Sequence, residues 1–193
     1  MTEVISGILG AFGLSVSAGL NAYIPLLVVS LMAKFTNLIE LAEPWNALES
    51  WWTIGVLAVL VVIEAVADKV PVVDHINDAI QSFIRPVAGA ILFAASAKTI
   101  TEIHPVLSLV CGLLVAGSVN AAKSVVARPV VDVATAGMGT PVVSTLEDVF
   151  AAIVSVLSIL VPMLMVIIVF LTIWLIASIV NRRHRPNASG STS

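Results

Sequence analysis

The stretch Lys69-Val-Pro71-Val-Val-Asp74 stands between two apolar segments, and a shorter copy, Arg128-Pro129-Val-Val-Asp132, stands between two others. Each copy follows a long apolar run. Each then leads, through a polar loop, to a second proline that opens another apolar run. The chain therefore contains two copies of one unit. Each copy consists of a helix, a turn that carries a basic residue and Pro-Val-Val-Asp, and a second helix. This order predicts a parallel internal two-helix repeat with units 52–98 and 106–160.

The composition predicts that these apolar runs lie in a lipid bilayer. Of the 193 residues, 59% are hydrophobic and 11% are charged, and the mean hydropathy is +1.09, far from the composition of an average soluble domain. The apolar runs are continuous and do not alternate with polar residues, which favours helices over strands. We therefore predict an all-α fold, a polytopic transmembrane helix bundle of about six spans.

The six predicted spans differ in regularity. The first contains Pro25 and several small polar residues, which predict one long span that is kinked or interrupted. The third is short, so either the bilayer thins there or the helix continues into its loops. At Pro162, one kinked helix in place of two spans stays an open alternative. The predicted spans are 4–33, 52–67, 83–97, 106–127, 142–160 and 163–180, all within a bundle over 1–180, and a basic, Ser-rich cytoplasmic tail follows over 181–193.

The basic residues predict the orientation in the membrane. Six spans with both termini in the cytoplasm leave only Lys34 and Lys98 outside. Because no Lys or Arg precedes Lys34, the first segment lacks the basic region of a signal peptide, and we expect it to be retained. The prediction is an integral protein of the plasma membrane with cytoplasmic N- and C-termini. The basic residues on the cytoplasmic side are then Lys69, Arg85, Lys123, Arg128, Arg182, Arg183 and Arg185.

Ionisable residues gather at the predicted cytoplasmic end of the bundle, and both repeat units contribute to them. Charges in lipid are costly and usually pair with one another, so we expect Glu64 to pair with Lys123. The layer is either a set of salt bridges that fixes helix register, a vestibule for an ion, proton or polar head group, or a docking surface for a cytoplasmic partner. Its predicted members are Glu64, Asp68, Lys69, Asp74, Arg85, Asn120, Lys123, Arg128, Asp132, Glu147 and Asp148.

A second polar candidate lies on the first span. Ser15, Ser17 and Asn21 interrupt its apolar sequence a few residues before Pro25. These side chains either hydrogen-bond a neighbouring helix or line a binding site at a break in the helix.

Signatures of enzymes are absent from the sequence. It has no Gly-rich phosphate loop, no His-Glu-x-x-His and no nucleophile elbow. The single cysteine, Cys111, lies in an apolar run and is interpreted as a packing residue. We predict no enzymatic activity, no catalytic residue, no cofactor and no metal, and no nucleic acid among the partners because no dense basic face exists.

Four motifs resemble one known family. They are Gly13-Leu-Ser-Val-Ser-Ala-Gly19-Leu-Asn21-Ala-Tyr23-Ile-Pro25, Glu64-Ala-Val-Ala-Asp68-Lys69-Val-Pro71-Val-Val-Asp74, Arg85-Pro86 and Pro141-Val-Val-Ser144-Thr-Leu-Glu147-Asp148. Through them, the chain resembles the domain of unknown function 4126 family of multi-pass membrane proteins, over roughly Ser6 to Pro162. The resemblance implies a helical bundle in which these polar positions are characteristic, and it supplies no activity or substrate. The sixth span and the tail would lie outside the shared region, with a role particular to this protein.

The function predicted from these features is that of an accessory or structural subunit of a larger membrane complex, such as a respiratory-chain or transport assembly. The partners would be the lipid bilayer and other membrane subunits, or further copies of the chain. The alternative is a small transporter or channel for an ion or polar solute. A cavity reaching Asn21 would favour transport, and a dry, fully paired layer would favour the accessory role. Small residues that offer packing faces support the accessory role: Gly13, Gly19, Gly89, Ala90, Gly112, Ala116 and Gly117.

Overall fold

The structure is a computed structural model that describes residues 2–41, 43–67, 71–96, 104–127, 140–162 and Trp174. These ranges contain helices and no strand, which confirms the all-α prediction for the described residues. A 3-10 helix over Trp45–Glu49 precedes α3, and a π-helical turn over Lys123–Ala127 ends α5. The α-helices are α1 (Thr2–Leu20), α2 (Tyr23–Phe35), α3 (Trp51–Ala67), α4 (Pro71–Ser96), α5 (Pro105–Ala122) and α6 (Thr140–Leu160).

Three segments are long and apolar enough to cross a membrane, by length and composition: Ala79–Ser96, Pro105–Val125 and Val142–Leu160. Large apolar side chains face outward along the helices, and Trp52 and Phe83 are 85% and 78% exposed. An apolar exterior of this kind indicates a membrane protein. The predicted total of six spans stays a prediction, since 163–180 lies outside the described residues apart from Trp174.

The stretch that was predicted to be one first span is a hairpin of two helices. α1 ends at Leu20 and α2 begins at Tyr23. The two arms run in opposite directions, because the residues that follow α2, 37–40, line the same cavity as Ser6 and Gly10 in the first half of α1. With 13 residues, α2 is about 20 Å long, shorter than the hydrocarbon core of a bilayer. The chain therefore turns back inside the bundle.

This hairpin changes the predicted topology. The start of α1 lies at the same end of the bundle as the segment between α2 and α3. The sequence prediction placed these two regions on opposite sides of the membrane. The reason for the difference is that the two-residue break, at Asn21 and Ala22, reverses the chain, whereas one kinked or interrupted span was expected.

α1 lies in the middle of the bundle and packs against α4, α5 and α6. α4 runs antiparallel to it, since Phe12 makes an edge-on ring contact with Phe93 and Ser15 hydrogen-bonds the Gly89 carbonyl. α6 is also antiparallel to α1, because Ser17 reaches Ala151 while Gly10 lies against Ser158. Small side chains on α1 allow three helices to approach it at once.

α4 and α5 approach each other closely through small residues. A Cβ placed on Gly89 would lie 2.9 Å from the carbonyl oxygen of Gly112, so this crossing requires glycine. Small residues that were predicted to offer packing faces to neighbouring subunits are thus used inside the chain. The same holds for Gly19, whose Cβ would lie 2.6 Å from the carbonyl oxygen of Ala116.

The helix directions match those of a parallel repeat, which itself stays a prediction. α3 runs antiparallel to α2, because Trp51 contacts Phe35 while Glu64 reaches Asn21. α5 runs antiparallel to α4, because Gly89 meets Ala116 while Phe93 meets Gly112. α3 and α5 therefore share one direction, and α4 and α6 share the other. The first Pro-Val-Val-Asp copy begins α4, and the second lies outside the described residues.

α4 is longer than the third span predicted from sequence. It begins at Pro71 and has 26 residues, so most of the predicted polar loop is helical. Of the two explanations for the short third span, continuation of the helix into its loop is the one found. This extension places Arg85 in the middle of a helix, where the sequence had suggested an opening position.

Candidate functional site: a polar cluster at a hairpin tip

Asn21 forms the tip of the hairpin. Its backbone N–H group ends α1, and its side-chain amide caps the start of α2. Its backbone N–H donates to the Ser17 carbonyl, which completes α1. Its side-chain Oδ1 accepts hydrogen bonds from the N–H groups of Tyr23 and Ile24, at 2.9 and 3.0 Å. This is N-cap geometry, which satisfies backbone donors at the start of α2. Because Oδ1 is held by these donors, the Nδ2 group must face the opposite way.

The Nδ2 group of Asn21 bridges two carboxylates. It donates to Oε2 of Glu64 on α3 at 2.6 Å and to Oδ1 of Asp148 on α6 at 2.9 Å. The two carboxylate oxygens are thus within about 6 Å of each other, the range in which like charges interact strongly. One buried amide therefore joins the hairpin to both of the predicted repeat units.

Two basic side chains, Arg85 and Lys123, complete the arrangement. Lys123 was expected to pair with Glu64, but Arg85 is the basic residue that lies beside Glu64. Arg85 lies 3.5 Å from Glu64 and donates to Oδ1 of Asn120 at 3.0 Å. Lys123 contacts Glu147 at 2.5 Å and donates to the Leu20 carbonyl, at the end of α1, at 3.2 Å. We call these seven residues the tip cluster: Asn21, Glu64, Arg85, Asn120, Lys123, Glu147 and Asp148.

The tip cluster lies inside the apolar part of the bundle. Glu64 and Arg85 are each only 2% exposed. Arg85 and Asp148 are each six residues from the start of an apolar segment, and Asn120 is five residues from the end of another. At 1.5 Å per residue, the cluster lies about 8–9 Å inside these segments, all measured from the same end of the bundle.

The family described as Domain of unknown function (DUF4126) matches residues 8–182. The chain belongs to the DUF4126 family. The match includes the predicted sixth span, so the expectation that this span lies outside the shared region was wrong. Neither a curated protein nor a solved structure matches the chain.

One buried member of the site in this DUF4126 protein was missed from its sequence. Gln81, one helical turn before Arg85, is 1% exposed and hydrogen-bonds the Tyr23 hydroxyl. Among the described residues, its Oε1 and the Nε of Arg85 have no hydrogen-bond partner. Gln81 was missed because its segment was interpreted as a loop, although its spacing of four from Arg85 places both on one helix face.

The structure brings together six members of the predicted polar layer: Glu64, Arg85, Asn120, Lys123, Glu147 and Asp148. Asp74 lies in the first turn of α4 and is described by its backbone alone. The predicted members Asp68, Lys69, Arg128 and Asp132 lie outside the described residues.

The three polar residues predicted on the first span do not form one site. Only Asn21 belongs to the tip cluster. The Ser15 hydroxyl donates to the Gly89 carbonyl at 3.0 Å, and Ser17 donates to the Ala151 carbonyl at 2.7 Å. The two serines therefore hold α1 against α4 and α6.

A cavity lies at the other end of α1, and we call it the end cavity. Its volume is about 660 Å³, and it reaches Leu14 but not the tip cluster. Its walls are the first half of α1, the segment after α2 and the last turns of α4 and α6. The residues that line it are Ser6, Gly7, Gly10, Leu14, Asn37, Leu38, Ile39, Glu40, Ala95, Ser96, Ser158, Ile159 and Pro162.

Proposed function

We propose that this DUF4126 protein is a small membrane transporter or channel for a cation or a proton, and that the tip cluster is its ion site. The observation that carries the proposal is the bridge from the Asn21 amide to Glu64 and Asp148. Two carboxylates held by one neutral amide form a group that can share a proton or coordinate a cation. Ionisable side chains are rare at membrane depth, because placing a charge in lipid is costly in free energy. Those that are present are therefore candidates for a function.

The hairpin supports the same proposal. Non-helical backbone at membrane depth is tolerated where it is buried in protein or lines a cavity. Transporters place ion and substrate sites at such breaks, because the ends of the broken helices supply backbone groups. In this chain the break at Asn21 and Ala22 supplies the Leu20 carbonyl to Lys123 and the cap amide to the carboxylates.

Each of the two roles has lost one of its reasons. The end cavity reaches Leu14 and does not extend to Asn21, so it does not supply the cavity that would favour transport. The accessory-subunit role loses the argument from small residues. Several of the small residues that favoured it pack within the chain, as Gly19 does against α5 and Gly89 does against Gly112. The predicted accessory role stays a prediction. It would be supported by foreign subunits that copurify in fixed stoichiometry from the native membrane.

The hairpin also sets the orientation that we propose. The end of α3 and the start of α4 lie on the same side as the tip cluster. Lys69 falls between these two helices in the sequence, and by the positive-inside rule we infer that this side faces the cytoplasm. The start of α1 then lies outside together with the segment between α2 and α3. This replaces the cytoplasmic N-terminus predicted from six simple spans.

The proposal is tested with purified full-length protein in liposomes that enclose a pH-sensitive dye. A pH gradient is imposed in buffers that contain sodium, potassium or tetramethylammonium, and its decay is followed. We expect decay faster than in empty liposomes in at least one buffer, and at least a tenfold loss of that rate in Glu64→Gln. The matched control is Glu43→Gln, the same change at an exposed position outside the cluster.

Two results would contradict this function. One is wild-type decay no faster than that of empty liposomes in all three buffers. The other is an equal effect of Glu64→Gln and Glu43→Gln, since the first removes a cluster carboxylate and the second does not.

A further inference from the structure

We propose that Gln81 and Arg85 hold a water molecule against Glu64, and that this water delivers a proton to the tip cluster. The inference rests on the proposed function, since it selects the proton among the ions proposed there, but it is tested without transport. Three features of the molecule support it, namely the contacts of the Arg85 guanidinium, the burial of Gln81 and the position of both residues along α4.

The guanidinium of Arg85 faces Glu64 across a gap. Its Nη2 lies 3.5 Å from Oε1 of Glu64, whereas charged N–H···O hydrogen bonds are about 2.7–2.9 Å long. The Nε–H of the same group has no hydrogen-bond partner among the described residues. Because Nε and Nη2 lie on one edge of the planar guanidinium, their hydrogens point to the same side. A water at this edge would accept from Arg85 and donate to Glu64.

Gln81 supplies a further buried acceptor at this place. It lies one helical turn before Arg85, on the same face of α4, and it is 1% exposed. Its side chain hydrogen-bonds the Tyr23 hydroxyl, and its Oε1 has no partner in the part of the chain that the structure describes. An unpaired buried acceptor is costly, and buried waters occur where several such polar groups converge. A water that accepts from Arg85 can donate one hydrogen to Gln81 and the other to Glu64.

The position of Gln81 along α4 places this water between the tip cluster and the end of the bundle that we assign to the cytoplasm. Gln81 is two residues, or about 3 Å, from the start of the apolar segment Ala79–Ser96, while Arg85 is six residues from it. Tyr23, the partner of Gln81, is partly exposed, whereas Gln81 and Arg85 are buried. A proton that enters from this end therefore passes Gln81 before it reaches Glu64.

The donors at this place favour a proton over a metal ion. A metal cation requires several oxygen ligands at close range, and the N–H edge of Arg85 points at the same position. A water held by that edge can instead pass a proton: its oxygen accepts one from the cytoplasmic side while one of its own O–H protons moves to Oε1 of Glu64. The water is restored and the carboxylate becomes a carboxylic acid. The negative charge of Glu64 offsets that of Arg85, which would otherwise repel the incoming proton.

The test measures the protonation of Glu64 directly, in full-length protein in nanodiscs. The pH is lowered by rapid mixing, and the C=O band of a protonated carboxyl group is followed by time-resolved infrared spectroscopy. Because Glu147 and Asp148 also carry carboxyl groups, the band is assigned to Glu64 by its loss in Glu64→Gln. We expect the band to appear at least tenfold more slowly in Gln81→Met, which keeps the length of the side chain and removes its hydrogen-bonding groups.

The matched control is Tyr23→Phe, which removes the hydrogen bond between Tyr23 and Gln81 and leaves the amide of Gln81 in place. If Gln81 served only to hold α2 against α4, Tyr23→Phe and Gln81→Met would slow protonation equally. We expect Tyr23→Phe to stay within threefold of wild type, and Gln81→Asn, which keeps the amide, to do the same. Each variant is first required to elute as wild type in gel filtration, and Gln81→Leu replaces Gln81→Met if the latter does not.

Equal rates in Gln81→Met and Tyr23→Phe would overturn the inference. So would the absence of any carboxyl band that depends on Glu64 over the pH range in which the protein stays folded. Protonation that depends on Gln81 in a protein without ion flux would leave this inference standing and reject the proposed transport. Flux that depends on Glu64, together with protonation in Gln81→Met as fast as in wild type, would do the reverse.

Discussion

The two ends of α1 present opposite kinds of polar environment. At its C-terminal end, charged and amide side chains from α3, α4, α5 and α6 meet Asn21 in a buried cluster with short contacts. At its N-terminal end, small side chains and larger apolar ones line a cavity of about 660 Å³. Paired polar side chains fill the first end, and the second contains open space. We therefore expect substitutions at the tip cluster to affect stability and transport more than substitutions at the end cavity do.

The largest effect on stability is expected from Arg85→Met. This change leaves the Glu64 carboxylate buried without its guanidinium, and breaking a buried ion pair costs about 3–5 kcal/mol. The double variant Arg85→Met/Glu64→Met should recover most of the loss, because both charges are then absent. The measurement is thermal unfolding in detergent followed by circular dichroism. A single variant as stable as wild type would show that the pair does not form.

A smaller loss is expected where α4 crosses α5, between the two ends of α1. In Gly89→Ala the new Cβ would lie 2.9 Å from the Gly112 carbonyl oxygen, so the helices must separate, at a cost of about 1–3 kcal/mol. The control is Gly55→Ala on α3, where nothing lies within 4 Å of the new Cβ. It should be neutral or slightly stabilising in the same unfolding assay. Equal stability of the two variants would contradict the crossing.

The smallest effect on stability is expected at the end cavity, in Ser96→Ala. The Ser96 hydroxyl has no hydrogen-bond partner in the described part of the chain, so its removal should change stability by no more than about 0.5 kcal/mol. The measurement is the same thermal unfolding assay. A large loss of stability would show that the hydroxyl has a structural role.

Part of the fold and of the tip cluster could be predicted from the sequence. Long apolar runs predict helices by themselves, and a charge inside such a run predicts a polar cluster, because it needs a partner in lipid. Glu64, Arg85 and Lys123 were found in this way. Which of these charged residues pair with each other could not be predicted, since the pairing depends on the relative positions of four helices along the axis of the bundle. Gln81 was missed because polar residues near Pro71 suggested a loop.

The hairpin could not be predicted from local signals alone. Asn21 and Pro25 indicate a break in the helix, but a kink and a reversal leave the same residues in the sequence. The direction of α2 is decided by distant contacts, namely those of Asn21 with Glu64 and Asp148 at one end and of Lys34 with Trp51 at the other. Only the folded chain shows that the amide of Asn21 serves both as helix cap and as bridge.

The most direct test of the hairpin is labelling of single cysteines with a membrane-impermeant maleimide in sealed, oriented vesicles, after Cys111 has been replaced by serine. The three positions are Ser6→Cys on α1, Leu38→Cys after α2 and Asn77→Cys on the first half of α4. We expect Ser6→Cys and Leu38→Cys to be labelled from one side and Asn77→Cys from the other. Labelling of Ser6→Cys together with Asn77→Cys, opposite to Leu38→Cys, would restore a single first crossing and contradict the hairpin that places Asn21 in the tip cluster.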